Sequence, residues 1–459
     1  MLNLQHSERL INKAEAAEAQ KLSDNPTEFF TQILNFKPTN YQQELIQLFQ
    51  NNQFIAARWC RQSGKSHTIA ALLLWYAFKH PQSNIAIVGP SLRQTKLIIR
   101  KIANFTKKLP IGTTHKPLKT QIQLTNGSTI EAYPNNPETI RGPTLDIVYA
   151  DEFNFIANDT EMYDAILFTL SATNGKFICT STPWSTDSLF HKIINHEDYT
   201  DFAKHHVTWQ QALEPNGPLK QNILQKIHKQ FAEDPWRWKR EMEAEWSEDE
   251  TVWLTQSLIT KCIDANLELW NFDSTHRGKF HAGLDLGKHR DHSVLIIIEN
   301  TEDKLLLRHW KVFPLETKYA TVIGYVKTLT DRWKHIEHIR VDTTGIGEYI
   351  AEDMKNADIE NVEPVTFTTT RKQELATILK QRMLDNAYKF PFIELRLSPT
   401  VQLSYVAELN TERFNLRKDG TIAFSHPQGQ HDDTWWATAL AVSCSIKLTP
   451  EPQLAMIPT

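Results

Sequence analysis

Between residues 53 and 183 short apolar runs recur at intervals that leave room for helices. "QFIAAR" (53–58), "SNIAIVGP" (83–90), "LDIVYADE" (145–152) and "GKFICTSTP" (175–183) are too continuous for a half-exposed strand and too short for a helix. The stretches between them carry helical spacing. This alternation predicts a parallel sheet with crossover helices over residues 28–210. Residues 1–27 read as one exposed helix and a turn. After "EPNGP" (214–218) the chain becomes rich in tryptophan, and Trp238, Met242 and Trp246 stand at i, i+4 and i+8, the stripe of a single packed helix. Residues 211–265 are therefore expected to be a helical connector.

From about 278 the pattern changes. "KFHAGLDLG", "HSVLIIIEN" and "KLLLRHWKVF" follow one another closely, as in an antiparallel meander. Helices are expected over 317–334, 348–357 and 371–387, with strands "HIRVD", "VEPVTFT" and "FIELRL" among them. A further helical stretch from about 399 and a final helix from Asp432 to about 447 close a second domain at 266–449, and 450–459 read as a loose tail. The chain has no internal repeat.

Composition adds limits. The 459 residues suffice for two or three domains; hydrophobic residues are 41% and charged residues 23%, as in a globular protein. A net charge of −4 neither advertises nor forbids a nucleic-acid partner, since a basic groove can sit on a mildly acidic molecule. Four scattered cysteines with no CxxC pair argue against a structural zinc or a disulfide framework and fit a reducing cytoplasm. His205, His206, His335 and His338 lack thiolate partners and read as solvated surface. The longest apolar run, "IAALLLWYAF" (69–78), is too short to span a bilayer, and the N-terminus has no secretory core.

Chemistry enters at "RWCRQSGKSHT" (58–68). Gly64-Lys65-Ser66 ends a phosphate-binding loop, although Trp59 stands where the usual loop opens with glycine. Strand, loop and helix are in the right order for loop amides to face phosphates, with Lys65 on the β/γ oxygens and Ser66 on Mg²⁺. "LDIVYADE" puts Asp151 and Glu152 at a strand tip, where Asp151 suits the Mg²⁺ shell and Glu152 the attacking water. "TSTP" ends a neighbouring strand in small hydroxyls suited to sensing a γ-phosphate.

A second set of acids lies downstream. Asp285 sits within an apolar strand, Asp342 ends another, and "HDD" places Asp432 and Asp433 at the start of an apolar helix. Singly, Asp342 reads as a turn acid and Asp432 as an N-cap. Together, two acids on neighbouring central strands and one on a packed helix converge as hard ligands for Mg²⁺ or Mn²⁺ in a ribonuclease-H-like fold, the arrangement of two-metal phosphodiester cleavage. Asp291 is a further candidate ligand, and His431 a candidate to orient a ligand or protonate the leaving group. Trp436 stands one turn into the helix, so no additional acid is expected on that side.

"RQSGKS", "YADE" and "TSTP", in this order, resemble the ATPase of the large terminase subunit of tailed bacteriophages, and the acid set with its order resembles the terminase nuclease domain. The resemblance covers about 36–447. It implies an N-terminal P-loop ATPase domain of the ASCE, RecA-like class with a mostly parallel sheet, and a C-terminal ribonuclease-H-like nuclease domain with a mixed sheet. It implies ATP bound by Arg61, Gln62, Ser63, Gly64, Lys65, Ser66, Asp151 and Thr182, with "FKPTNYQQELI" (36–46) as the adenine-reading stretch in which Gln42 bonds the base edge and Tyr41 stands beside it. The arginine finger falls to either Arg61 or Arg141, which the sequence does not apportion. "STP" (181–183) matches the stretch coupling hydrolysis to movement, and "WRWKREMEAEW" (236–246) the segment after the ATPase domain. The implied activity is ATP-driven translocation of double-stranded DNA into a procapsid and cutting of concatemers. The implied partners are the portal protein, the small terminase subunit and further copies of the chain in a ring, in the host cytoplasm. "KLIIRKIANFTKK" (96–108) and "RKQELATILKQR" (371–382) are candidate DNA-facing runs. The rival reading is a helicase-nuclease, which would usually need a second motor domain; after "STP" the chain instead runs into a connector and then the acids. A scaffolding protein with decayed sites is disfavoured by the intact Lys65, Asp151, Glu152, Asp285 and Asp342.

Overall fold

The computed structural model describes residues 18–232, 234–247, 251–287, 291–344, 349–397, 402–417, 421–427, 430–446 and 448. The expected N-terminal helix lies mostly, and the 450–459 tail wholly, outside these residues. The chain divides into two compact units, Met1–Asp249 with Ile263–Asn266, and Glu250–Cys262 with Leu267–Thr459. The stretch expected as one connector is thus shared between them.

The first unit is built on a seven-stranded sheet. Its strands are β1 (Phe54–Trp59), β2 (Asn84–Val88), β3 (Gln121–Gln123), β4 (Thr129–Ala132), β5 (Ile147–Asp151), β6 (Lys176–Ser181) and β7 (Phe202–Val207). They run in the order β3-β4-β2-β5-β6-β1-β7, parallel except for β3 against β4. The four apolar runs read from the sequence are β1, β2, β5 and β6. The edge strands β3 and β7, and β4 beside β3, escape such a reading because they are short or mixed in polarity. A strand between the phosphate-loop strand β1 and the acid-bearing β5 is the arrangement of the ASCE class, and β6 fills it. Helix Lys65–Lys79 is apolar nearly all round and buried, whereas Leu92–Thr106 buries Ile98, Ile99, Ile102 and Phe105 and leaves Arg93, Arg100 and Lys107 toward solvent.

One expected helix is shorter than its spacing suggested. Pro235–Glu241 ends before Trp246, and Ala244 adopts a left-handed φ of 52°. The chain there is drawn out by hydrogen bonds to the β1 region, Arg61 N to Glu241 O and an Arg58 guanidinium nitrogen to Ala244 O. Trp238 packs on Trp209, while Trp246 packs on Phe190 and His191, so the apparent stripe serves two separate contacts.

The second unit holds a six-stranded sheet of β8 (His276–Asp285), β9 (Val294–Asn300), β10 (Leu305–Val312), β11 (Trp333–Asp342), β12 (Val362–Val365) and β13 (Tyr388–Lys389). The order is β12-β11-β8-β9-β10-β13, with β9 antiparallel to β8 and β10, and β8, β11 and β12 parallel. A three-stranded meander continuing into parallel strands on its far side is the ribonuclease-H-like topology. Two short pairs follow, β14 (Glu394–Arg396) with β15 (Gln402–Ser404) and β16 (Arg413–Leu416) with β17 (Ile422–Ser425). The helical stretch expected from about 399 is confined to Tyr405–Leu409, because the polar-apolar alternation after it pairs as the hairpin β16–β17.

Helix Asp433–Ser443 is almost wholly buried and crosses β8 and β9. It approaches so closely that a Cβ at Gly283 would stand 2.1 Å from Ala437 O and 2.4 Å from Ala441 N. These are backbone atoms and cannot rotate aside. Gly283→Ala is expected to destabilise the second unit by about 3 kcal/mol, the upper end of overpacking costs. Urea unfolding of the full chain checks this, and an unchanged midpoint would contradict the close approach.

Candidate active sites

In the first unit the phosphate loop joins β1 to its helix. Gly64 takes a left-handed φ of 84°, and a Cβ there would meet Gln42 Nε2 at 2.8 Å, so both conformation and space call for glycine. Trp59 is wholly buried at the end of β1 and donates from Nε1 to His205 Nδ1 (2.9 Å), whose Nε2 faces Glu44 (3.2 Å). Trp59 therefore anchors the strand beneath the loop, and the expectation of a solvated His205 is corrected: it is a buried link between β7 and the helix Asn40–Asn51. Tyr41 donates to Ser63 O (2.7 Å) and sets its ring edge-on to Trp59, supporting the loop from below. Gln42 is buried and accepts from Thr39 N (2.9 Å) in a capping box, with its amide nitrogen toward Gly64.

The acids stand opposite. Tyr149 donates to Asp151 Oδ1 (2.6 Å), and the second oxygen of this buried carboxylate has no hydrogen-bond partner among the described residues. Burial and the neighbouring Glu152 raise its pKa. Glu152 has a left-handed φ of 48°, a costly conformation that turns its side chain back toward β6 and the loop. One oxygen takes Lys65 Nζ (3.1 Å); the other accepts from Ser181 Oγ (3.1 Å) and Thr182 N (3.3 Å). Burial alone would raise the Glu152 pKa, but Lys65 and Arg61 outweigh it and hold it low. Arg61 lies 3.5 Å from Glu241. Ser66 is half-buried in the first helical turn and Gln62 is exposed at φ 63°. Arg141 is exposed and ion-pairs with Glu138. The Asp151 orphan oxygen, Ser66 and the left-handed loop form a donor set that fits a nucleotide with Mg²⁺.

In the second unit, pairing of Val341 with Leu284 sets Asp342 beside Asp285 at the ends of parallel β11 and β8. Asp285 thus ends its strand instead of lying within it. Asp342 Oδ1 is fixed by Thr344 N (2.9 Å) and Oγ1 (2.6 Å). Asp433 accepts from His292 N (2.7 Å). Asp432 makes no side-chain cap to its helix; its Oδ2 accepts from Trp436 Nε1 (2.8 Å) and faces His426 Nδ1 (3.2 Å). Asp291, exposed, lies 3.6 Å from His431.

The expectation that no further acid joins the helix side is also corrected. Glu412, from the turn before β16, is buried against the same indole: Trp436 Nε1 reaches its Oε1 at 3.2 Å. Glu412 and His426 belong to a hairpin whose folding the sequence pattern did not reveal, so nothing marked them. Lys372 is the cation facing this cluster, its ammonium 4.4 Å from the Trp436 ring centre. The second basic run is otherwise turned onto its own unit: Arg371 pairs with Glu374 and Lys380 lies over Trp253.

The electrostatics follow from crowding. Burial, then Asp433, Asp342 and Asp432, push the Asp285 pKa well above the carboxylate range. Burial and Asp432 push Asp433 up to about 8, and burial raises Asp342. Asp432 is held low because hydrogen bonds with His426 and Glu412 outweigh burial, and Glu412 rises to about 10. Hard oxygens that repel one another at the ends of two strands and a helix fit divalent cations.

A pH dependence results. Asp433 keeps its proton in the folded, metal-free state up to about 8, where the unfolded chain has released it near 4. The folded state binds the proton more tightly, so stability is greatest at low pH and falls as pH rises through that window. Thermal unfolding of the metal-free chain between pH 5 and 8 should show this decline in the second unit, and Asp433→Asn should flatten it.

A family profile described as terminase large subunit, T4likevirus-type, N-terminal, matches residues 60–261. Among solved structures, the chain is similar to the HK97 bacteriophage large terminase (13% identity, 92% of this chain and 99% of that one, TM-score 0.44). It is similar to a Thermus phage large terminase ATPase domain (20%, 48% and 98%, TM-score 0.38). It is also similar to the large terminase nuclease of thermophilic phage G20c with bound magnesium (20%, 43% and 98%, TM-score 0.35).

Proposed function

We propose, from the match of residues 60–261 to a profile of the N-terminal region of large terminase subunits, that the chain is an ATP-driven DNA-packaging motor that also cuts DNA. In this reading the 28–210 segment translocates double-stranded DNA into a procapsid, and the 266–449 segment cuts concatemers. The partners are the portal protein, the small subunit and further copies of the chain in the host cytoplasm. The observation that carries the reading is the presence, in one chain, of two separate carboxylate centres. One is tied to the Lys65 ammonium; the other gathers Asp285, Asp342, Asp432 and Asp433 with Lys372 facing them.

In the first, Lys65 is shared between Glu152 and incoming phosphates. When β/γ oxygens take the ammonium, Glu152 is left with Ser181 and Thr182 and can accept a proton from water. That water oxygen bonds to the γ-phosphorus, the bond to the ADP oxygen breaks, and the water proton passes to Glu152. Ser66 and Asp151 would hold Mg²⁺, which would neutralise phosphate charge. Thr182 links Glu152 to the "STP" stretch, so loss of the γ-phosphate is felt by the chain after β6. Arg61, whose charge acts on Glu152, is the candidate for the finger within the chain, and exposed Arg141 the candidate to act on a neighbouring subunit.

In the second, Asp285, Asp342 and Asp433 would hold divalent cations, which would supply an activated water and stabilise the leaving oxygen of a phosphodiester. His292 fixes Asp433 and Thr344 fixes Asp342, so the ligands are oriented before DNA arrives. Binding through phosphates suits an activity that must act on any sequence. No helix among the described residues is long and apolar enough to cross a membrane.

Lys65→Ala should lower ATP hydrolysis by about 100-fold or more while leaving Mn²⁺-dependent nicking of plasmid DNA unchanged. Near wild-type hydrolysis by this variant would remove the site assignment. Conversely, Asp342→Asn should lower nicking by at least about 100-fold, the upper end of the loss caused by removing a mere supporting group. It should spare ATP hydrolysis, and normal nicking would return Asp342 to a turn residue.

A further inference from the structure

Glu412, His426 and Asp432 bring one ligand atom each to within 4.8 Å of one another. They come from three places in the chain: just before β16, just after β17, and just before the helix that carries Asp433. Glu412 is 1% exposed, and its Oε2 has no hydrogen-bond partner among the described residues. Its carboxyl meets the Asp432 carboxyl, and both share the Trp436 N–H at 3.2 and 2.8 Å. One indole donor cannot satisfy two buried carboxylates. Lys372 and His426 bear on this pair from outside, but two such groups in contact still call for a proton or a cation between them. His426 Nδ1, 3.2 Å from Asp432 Oδ2, completes the third corner. His426 is half-exposed, which leaves a side open to water ligands and to entry of an ion.

We propose that Glu412, His426 and Asp432 form a separate divalent-cation site for a first-row transition ion such as Mn²⁺ or Zn²⁺, which ties both ends of the β16–β17 hairpin to the start of the helix bearing Asp433. The donor set supports this choice, since imidazole with two carboxylates suits Zn²⁺ and Mn²⁺ over Mg²⁺, which prefers oxygen and retained water. The proposal separates Asp432 from Asp433: adjacent in sequence, they serve different ions. It does not rest on the cutting reaction, because the site is defined without Asp285 or Asp342.

The test is made on the full-length Asp285→Asn/Asp342→Asn chain, which weakens the strand-end site. Mn²⁺ titration followed by electron paramagnetic resonance should find one bound equivalent, with nitrogen modulation from a coordinated imidazole. Adding His426→Ala should remove the nitrogen signal and weaken that equivalent at least tenfold, and Glu412→Gln should weaken it similarly. Zn²⁺ should displace the Mn²⁺ at lower concentration than Mg²⁺ by at least 100-fold. Absence of bound Mn²⁺ in the double variant, or a bound ion without a nitrogen signal, would overturn the proposal and leave a proton shared by Glu412 and Asp432. A nitrogen signal that survives His426→Ala would overturn it too. The nitrogen signal is read in a chain with Glu412 and His426 intact, so the result does not depend on those variants folding.

Discussion

Burying a carboxylate at the end of a central strand is costly, and each unit is arranged around how that cost is offset. A charged group removed from water needs a countercharge or a proton. In the first unit the countercharge is covalently present: Lys65 reaches Glu152, and Tyr149 and Thr180 hold Asp151. In the second unit Asp285, Asp342, Asp432, Asp433 and Glu412 face one another, and Lys372 is the cation that bears on most of them. Among the described residues, one ammonium and the His426 imidazole do not balance five carboxyls, so protons or metal ions must. The difference supports the proposal that the first centre exchanges its lysine with phosphates and that the second takes up cations.

The sheets are what make these convergences possible. Parallel strands end at the same edge, so β5 and β6 deliver Asp151 and Thr180 side by side, and β8 and β11 deliver Asp285 and Asp342. The helix Asp433–Ser443 then brings a third element to the same edge, and Gly283 sets how near it comes. A side chain at that glycine would push the helix outward and open the ligand set. Backbone packing and ligand spacing are one constraint here.

What could be read from the sequence was whatever repeats with a clear period or stands at a strand tip. β1, β2, β5 and β6 are short continuous apolar runs, and β8 to β10 follow closely enough to declare a meander. Lys65, Asp151, Glu152, Asp285 and Asp342 were visible because charge inside or beside an apolar run is conspicuous. The pairing of β16 with β17 was not, since "RFNLRKDGTIAF" is short and polar in its middle, and with it went Glu412 and His426. Trp238 and Trp246 misled in the opposite way: helical spacing survives where the helix itself has ended at Glu241. His205 looked like surface because its partners, Trp59 and Glu44, are far away in the chain, Trp59 by 146 residues.

If uncompensated carboxyls organise the second unit, metal must displace protons when it binds. Burial and the neighbouring carboxylates push Asp433 up to about 8 and Glu412 up to about 10, so both hold protons at pH 7 in the metal-free chain, and the same causes raise Asp285. Calorimetric titration of the metal-free full-length chain with Mn²⁺ at pH 7, repeated in buffers of different ionisation enthalpy, counts the protons released. The account predicts release of more than one proton per chain at saturation. Binding whose heat is the same in every buffer, with no proton released, would contradict it.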